Sequence, residues 1–199
     1  MNTTEKMRKN AQKYRARVAE IRADWTRSEE AKRQDLEEAY SEARSTHARL
    51  EDEFRSEVRE RLEASRKAAF AAPKVGKDAA LDTTSYRDAL DRASRTRDPR
   101  ELSGMLNQAE ITGDHALARA ILYRGYELDN AGLVGSYFEK YPDELPVWDE
   151  FMGAAQKAND LEALGISGAA GVAGPERPHE LGTQGPPEQS WRQVAGGVE

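Results

Sequence analysis

The amino-acid sequence predicts an all-α protein, and three features of the 199-residue chain support that prediction. Residues 4–70 contain neither proline nor glycine and are rich in Ala, Glu, Arg and Lys, which favour helices. Residues 82–164 contain a series of helix-capping signals. No window shows the strict alternation of apolar and polar residues that is typical of a half-buried strand.

These features divide the chain into four parts. We predict a long charged amphipathic helix resembling a coiled coil (1–70), a linker (71–81), a small helical domain (82–164) and a flexible tail (165–199). Pro73 and Gly76 end the first helix and loosen the linker. The tail contains eight glycines and four prolines, a composition that buries too little surface to offset the entropy of ordering.

An apolar stripe runs along the first part of the chain. Its residues follow steps of three and four, as in the seam of a coiled coil, and we interpret them as the contact with a second copy or a partner helix. The seam consists of Met7, Tyr14, Val18, Ile21, Trp25, Leu36, Tyr40, Leu50, Phe54, Val58 and Leu62. Glu29 and Lys32 interrupt the stripe, so the segment is either one helix or two helices with a break. A break there would allow an antiparallel hairpin.

The stripe needs an apolar surface to cover it. As one helix, the segment would form a rod of roughly 100 Å at 1.5 Å per residue, which a domain of this size cannot cover along its whole length. Because an isolated helix gains most of its stability by burying an apolar face, we expect self-association or a partner helix. The alternative is a single charged helix, stabilised by pairs such as Glu57 with Arg61 that contribute about 0.2–0.5 kcal/mol each.

Capping residues define the helices of the small domain. The first helix has candidate caps at Asp82 to Ser85, and the second has Asp98 as its N-cap, followed by Pro99 at the first helical position. Gly113 ends the second helix and Asp114 caps the third. A fourth helix, AGLVGSYFEKY, is closed by Pro142, and a fifth follows in PVWDEFMGAAQKAND.

Half of the aromatic residues of the chain lie between residues 121 and 151. They are interspersed with leucines and valines at helical spacing, which predicts a domain core. Tyr141 and Trp148 flank the PDELP turn, and we keep them as a candidate partner patch because Tyr and Trp are favoured interface anchors.

No motif indicates an enzyme, and we predict neither catalytic residues nor a metal or cofactor. The chain has no cysteine, and His47, His115 and His179 are too far apart in sequence for a ligand motif. Gly76-Lys77 superficially resembles a phosphate-binding loop, but the first glycine and the Ser or Thr that binds magnesium are missing.

The N-terminal end is basic although the net charge of the chain is −6. Arg8, Lys9, Lys13 and Arg15 are candidate contacts for nucleic-acid phosphates. The acid-rich continuation makes nucleic acid the weaker of two partner predictions, after protein. No window approaches the length of about 18 apolar residues that a membrane span requires. We therefore expect no membrane partner, and the absence of cysteine makes the cytoplasm the default location.

The stretch GDHALARAILYRGYELDNAGLVGSYFEKYPDELPVWDEF resembles a single tetratricopeptide-type hairpin, in which Ala118 and Ala120 allow close packing. An array needs about three such units, so the array function does not transfer. Together with the charged helix and the Gly/Pro tail, this stretch also resembles small helical proteins from the virion structural gene region of actinobacterial phages and prophages. That resemblance implies a non-enzymatic structural or assembly role and a virion-associated location as the alternative to the cytoplasm, with phage structural proteins or further copies of the chain as partners.

Overall fold

A computed structural model describes residues 1–74 and 79–182. Within these ranges it contains seven α-helices and no strand, so the all-α prediction is confirmed. The helices are α1 (Thr3–Ala23), α2 (Glu29–Ala69), α3 (Ala79–Ser94), α4 (Pro99–Thr112), α5 (His115–Glu127), α6 (Ala131–Lys140) and α7 (Leu145–Ala170).

The chain divides into two compact units. Among the described residues, 1–56 and 160–182 form the hairpin unit, and 57–74 and 79–159 form the aromatic unit. α2 and α7 each contribute residues to both units. The units therefore do not follow the predicted domain boundaries. Those boundaries lie where proline and glycine occur, whereas the boundaries between the units fall within α2 and α7.

The first segment is two helices and not a single rod. A five-residue turn, Asp24 to Ser28, separates α1 from α2. The Asp24 carboxylate accepts hydrogen bonds from the Thr26 amide (2.9 Å) and hydroxyl (2.6 Å). The Ser28 hydroxyl accepts one from the Ala31 amide (3.2 Å), as an N-cap does. Of the two alternatives that the stripe left open, the structure has the break, and it lies just before Glu29.

In the hairpin unit, α1 packs antiparallel against the first part of α2. Lys6 pairs with Glu53, the Asn10 side-chain amide donates to the Ala43 carbonyl oxygen (3.0 Å), and Lys13 Nζ lies 3.3 Å from Glu42 Oε1. Residues later in α1 therefore contact residues earlier in α2, as antiparallel packing requires.

The hairpin covers most of the apolar stripe within one chain. The buried seam residues of this unit are Met7, Tyr14, Val18, Ile21, Leu36, Leu50 and Phe54. Tyr40 is half-buried, while Trp25 lies in the turn and is 89% exposed. In the aromatic unit Val58 is buried and Leu62 is half-buried. The structure thus differs from the predicted intermolecular seam, because apart from Trp25 these residues are buried or half-buried within a single chain.

The aromatic unit is arranged around α5, which packs against α3, α4 and α6. Ala118 and Ala120 of α5 are buried in this core. The predicted capping residues Asp98, Gly113 and Asp114 occupy the predicted helix ends. α3 instead begins at Ala79, before the predicted caps at Asp82 to Ser85, so those residues lie within the helix.

The C-terminal segment is more ordered than its composition predicts. α7 continues to Ala170 through a non-helical residue, Gly165, and after a turn at Gly171 residues 172–178 have no regular secondary structure before a short 3-10 turn, His179–Leu181. Val172 and Pro178 are buried. The prediction of a flexible tail is therefore wrong for residues 165–182. For residues 183–199, and for residues 75–78 of the predicted linker, the prediction lies outside the described residues.

The hairpin can be tested by zero-length carbodiimide cross-linking, which joins an amine to a carboxylate in direct contact. We expect cross-links between Lys6 and Glu53 and between Lys13 and Glu42, because each pair is in contact across the hairpin. Mass spectrometry of a mixture of isotopically light and heavy chains should find each linked peptide pair entirely light or entirely heavy. Mixed light–heavy pairs at these positions would instead indicate an intermolecular coiled coil.

Candidate functional site

The three histidines do not form a common site. His47 is buried in the hairpin unit, with Nε2 lying 3.5 Å from Glu51 Oε1. His115 contacts the Tyr141 ring in the aromatic unit, and His179 is exposed in the 3-10 turn. Across residues 1–74 and 79–182, no group of three or more His, Cys, Asp or Glu side chains could hold a metal ion. None of the helices in these ranges has the length and apolar composition of a membrane span.

The four candidate nucleic-acid contacts fall into two pairs. Lys9 lies 3.9 Å from Glu5 and Lys13 lies 3.3 Å from Glu42, so an acidic group already faces each lysine. Arg8 and Arg15 make no ion pair or hydrogen bond with another described residue, and both are exposed. They are seven residues apart on α1 and therefore share a face of the helix. These two arginines are the free cations of the predicted set within the described part of the chain.

The aromatic residues form the predicted core. Phe70 is central, since its ring lies 5.0 Å from Tyr123, 6.0 Å from Trp148 and 5.2 Å from Phe151. Tyr141 and Trp148, the candidate partner patch, are both half-buried and pack against this core. They have different ring partners: Tyr141 lies 4.7 Å from Tyr137, whereas Trp148 lies 5.8 Å from Tyr126.

A partly buried polar network in the aromatic unit was missed by sequence reasoning. Arg119 donates to the Ala69 carbonyl (2.8 Å) and the Tyr137 hydroxyl (3.1 Å), and its Nη2 lies 2.5 Å from Glu144 Oε1. Tyr137 in turn donates to Glu144. Burial raises the pKa of Tyr137, and the hydrogen bond to Glu144 raises it further. The network joins α2, α5, α6 and the turn before α7, which indicates a structural role.

A small cleft lies beside this network. Its volume is about 90 Å³, and its lining includes Ala68, Leu122, Phe138, Val147 and Trp148. A water molecule takes about 30 Å³ of liquid volume, and sites for small molecules usually span about 300–1,000 Å³. The cleft is therefore too small for a cofactor.

Apolar side chains are exposed on the same unit near Trp148. Leu145, Trp148 and Met152 follow helical spacing along one face of α7, and the Tyr126 ring contacts Trp148. Leu145, Met152 and Tyr126 are 41%, 42% and 37% exposed. We call these four residues the α7 patch. Sequence spacing identified Trp148 but not the two aliphatic residues, whose exposure depends on which face of α7 meets the core.

In the hairpin unit, residues 172–181 form a strap on α1 and α2. Arg22 binds Glu180 through two hydrogen bonds (2.6 and 2.9 Å), and the Tyr14 hydroxyl donates to the Glu176 carbonyl oxygen (2.7 Å). Arg177 donates to Glu37 (3.2 Å) and stacks over the Tyr40 ring, 5.5 Å from its centroid. Leu181 packs against the hairpin core.

A cleft of about 500 Å³ separates part of the strap from α1. It is lined by residues 173–179 and by one face of α1 between Ala11 and Arg22, including Arg15. The hydrogen bond from Arg22 holds the pKa of Glu180 at about 2, and burial raises the pKa of Tyr14. Arg22 and Arg177 are committed to holding the strap, and no nucleophile with an adjacent general base lines the cleft.

Comparison of the chain with known proteins gave no match to a family model, to a curated protein or to a solved structure. The functional conclusion therefore rests on the α7 patch, the free arginines of α1 and the strap.

The contact between Arg22 and Glu180 predicts the pH at which the Glu180 carboxylate titrates. The pKa of Glu180 lies at about 2, below the ordinary value of 4.5, so the pair stabilises the strap fully above pH 4.5 and loses that effect as the pH falls toward 2. Carboxyl-detected NMR should show a Glu180 midpoint of about 2, and Arg22→Gln should move that midpoint up toward 4.5.

A matched control lies on the same helix. Arg17 pairs with Glu20 (3.4 Å) and makes no contact with the strap, so Arg17→Gln should leave the Glu180 midpoint unchanged. A wild-type midpoint near 4.5 would contradict the bidentate contact.

Proposed function

We propose that this protein is a non-enzymatic structural or assembly adaptor that acts through protein–protein contacts. The observation that carries the proposal is the α7 patch, where four neighbouring apolar residues stay at least partly exposed on a unit that has its own core. Exposed apolar surface of this kind marks interaction sites on soluble domains. Trp and Tyr add large contact area at such sites.

The charge around the patch favours a protein partner with basic groups. Asp143 lies two residues before Leu145 and Asp149 directly follows Trp148; both are exposed, and neither has an ion-pair partner among the described residues. Complementary charge at the rim of an interface directs orientation and speeds association, while the apolar centre supplies most of the affinity. The partner we propose therefore presents an apolar surface with lysine or arginine at its edge.

The resemblance to proteins from virion structural gene regions gives this adaptor a biological setting. In that setting the α7 patch contacts another structural protein of the particle. Apart from the exposed Trp25 and the half-buried Tyr40, the apolar stripe of residues 7–54 is buried by the hairpin within the chain, so it offers little surface to a partner.

Substitution in the patch tests the proposal. Full-length protein is immobilised as wild type, as the Leu145→Lys/Met152→Lys double variant and as Ile111→Lys, and proteins retained from the cells that produce it are quantified by mass spectrometry. We expect wild type to retain a small set of structural proteins, and the double variant to retain about tenfold less, because two apolar contacts of the patch become charged.

Ile111 provides the control because it is 85% exposed on α4 and lies outside the patch, so Ile111→Lys adds a charge without removing a patch residue. Equal retention by all three forms, or retention of nothing by wild type, would contradict the proposal.

Nucleic-acid binding is a second candidate function, and the free arginines Arg8 and Arg15 favour it. Each phosphate contact lowers the slope of log binding constant against log salt by about 0.9. We expect Arg8→Ala/Arg15→Ala to reduce the magnitude of this slope by about 2 in a duplex-binding titration. Lys9→Ala/Lys13→Ala should change it less, because Glu5 and Glu42 already oppose those charges. Absence of wild-type binding at low salt would eliminate this candidate.

A further inference from the structure

The strap is attached to the hairpin in large part by solvent-accessible contacts. Its ion pairs are solvent-accessible: the side chains of Arg22 and Glu180 are 46% and 25% exposed, and Arg177 and Glu37 are 22% and 49% exposed. Pairs of this kind hold a segment only weakly. The cleft of about 500 Å³ beneath the strap also removes much of the contact that a close-packed segment would make with α1.

Two glycines lie between the strap and the straight part of α7. Gly165 has φ 67° and ψ −176°, and Gly171 has φ 63°. Residues with a side chain rarely adopt these conformations, whereas glycine passes between positive and negative φ at little cost. Rotation at these positions can therefore release residues 172–181 from the hairpin without unfolding the helical part of α7 that precedes Gly165.

The groove that holds the strap is specific for the strap's sequence. Arg22 pairs with Glu180, Glu37 and Tyr40 receive Arg177, and the hairpin core receives Leu181. Gly174 lies directly over His47, where a Cβ atom would come within 3.2 Å of the imidazole ring. A competing peptide would need the same charges, spacing and glycine, and a second copy of this chain carries all of them.

We infer that the hairpin groove is an exchange interface, which binds the strap of a second copy in place of its own. Two copies that exchange straps make every contact of the single chain twice, so the dimer loses no contact and its population depends on concentration. This inference rests on the proposed assembly function and specifies self-association as one of its contacts. The partner surface is separate from the α7 patch.

Charge reversal in two different copies tests the exchange. In Arg22→Glu the contact joins two glutamates, and in Glu180→Arg it joins two arginines. Each variant therefore has a repulsive contact with its own strap. In a mixed dimer, one interface is the original Arg–Glu pair and the other is the reversed pair, so both are attractive. Native mass spectrometry and light scattering of the equimolar mixture should show the mixed dimer at about tenfold or more above either homodimer.

Arg17→Glu is the matched control because Arg17 is on α1 but does not contact the strap. Mixing Arg17→Glu with Glu180→Arg should not enrich a mixed dimer. Equal enrichment in this mixture, or wild-type and mixed samples that stay monomeric at all concentrations, would overturn the inference. Circular dichroism of each variant verifies that the helices are intact.

A second measurement leaves the ion pair untouched. Ala19 and Pro175 line opposite sides of the cleft and the chain has no cysteine, so Ala19→Cys in one copy and Pro175→Cys in another provide one thiol each. A short bis-maleimide should link the two copies when straps are exchanged, and no 19–175 link should form if each strap stays on its own chain. Loss of this link with unchanged retention by the α7 patch would reject strap exchange and leave the adaptor function standing.

Discussion

Burial of the apolar stripe of α1 and α2 is the constraint on which the hairpin unit depends. The chain is one-third charged, so few apolar residues are available, and those of residues 7–54 lie on one helical face. The five-residue turn at Asp24 to Ser28 allows the two halves of that face to meet. Polar contacts such as Asn10 with Ala43 then fix the register along the hairpin. The strap in turn depends on this arrangement, because it binds residues from both helices.

The aromatic unit is stabilised by aromatic packing and a polar network, in contrast to the hairpin unit. Its core is a cluster of rings centred on Phe70, and the half-buried Arg119 satisfies a helix-end carbonyl, a tyrosine and a carboxylate at once. Removing Arg119 would leave the buried Tyr137 hydroxyl and the Ala69 carbonyl without this donor, which costs more than a surface contact contributes. The core of the unit therefore buries most of the surface of the aromatic rings. The side chains that remain exposed to a partner include Leu145 and Met152 of α7, together with parts of Tyr126 and Trp148.

Local signals allowed the helix ends of α4 and α5 to be predicted from sequence. Asp98, Gly113 and Asp114 act on amides within a few residues, so no distant contact is needed to place them. Whether the stripe packs within one chain or against a second chain depends on the free energy of forming the turn relative to that of association. The spacing of the apolar residues does not reveal either free energy. The strap was missed for a related reason. The buried Val172 and Pro178 and the half-buried Leu181 are isolated apolar residues in a Gly/Pro-rich sequence, and Leu181 packs against hairpin residues more than a hundred positions earlier.

The turn between α1 and α2 also makes the protein a convenient scaffold for engineering. Trp25 points away from the hairpin core, and the turn is held by the side chains of Asp24 and Ser28 at its two ends. Loop-closure entropy rises by only about 0.6 kcal/mol for each doubling of loop length. A peptide epitope or a fluorescent-label sequence inserted between Thr26 and Arg27 would therefore be displayed at the tip of a cysteine-free helical hairpin, with the hydrogen bonds of Asp24 to Thr26 and of Ser28 to Ala31 on either side of it.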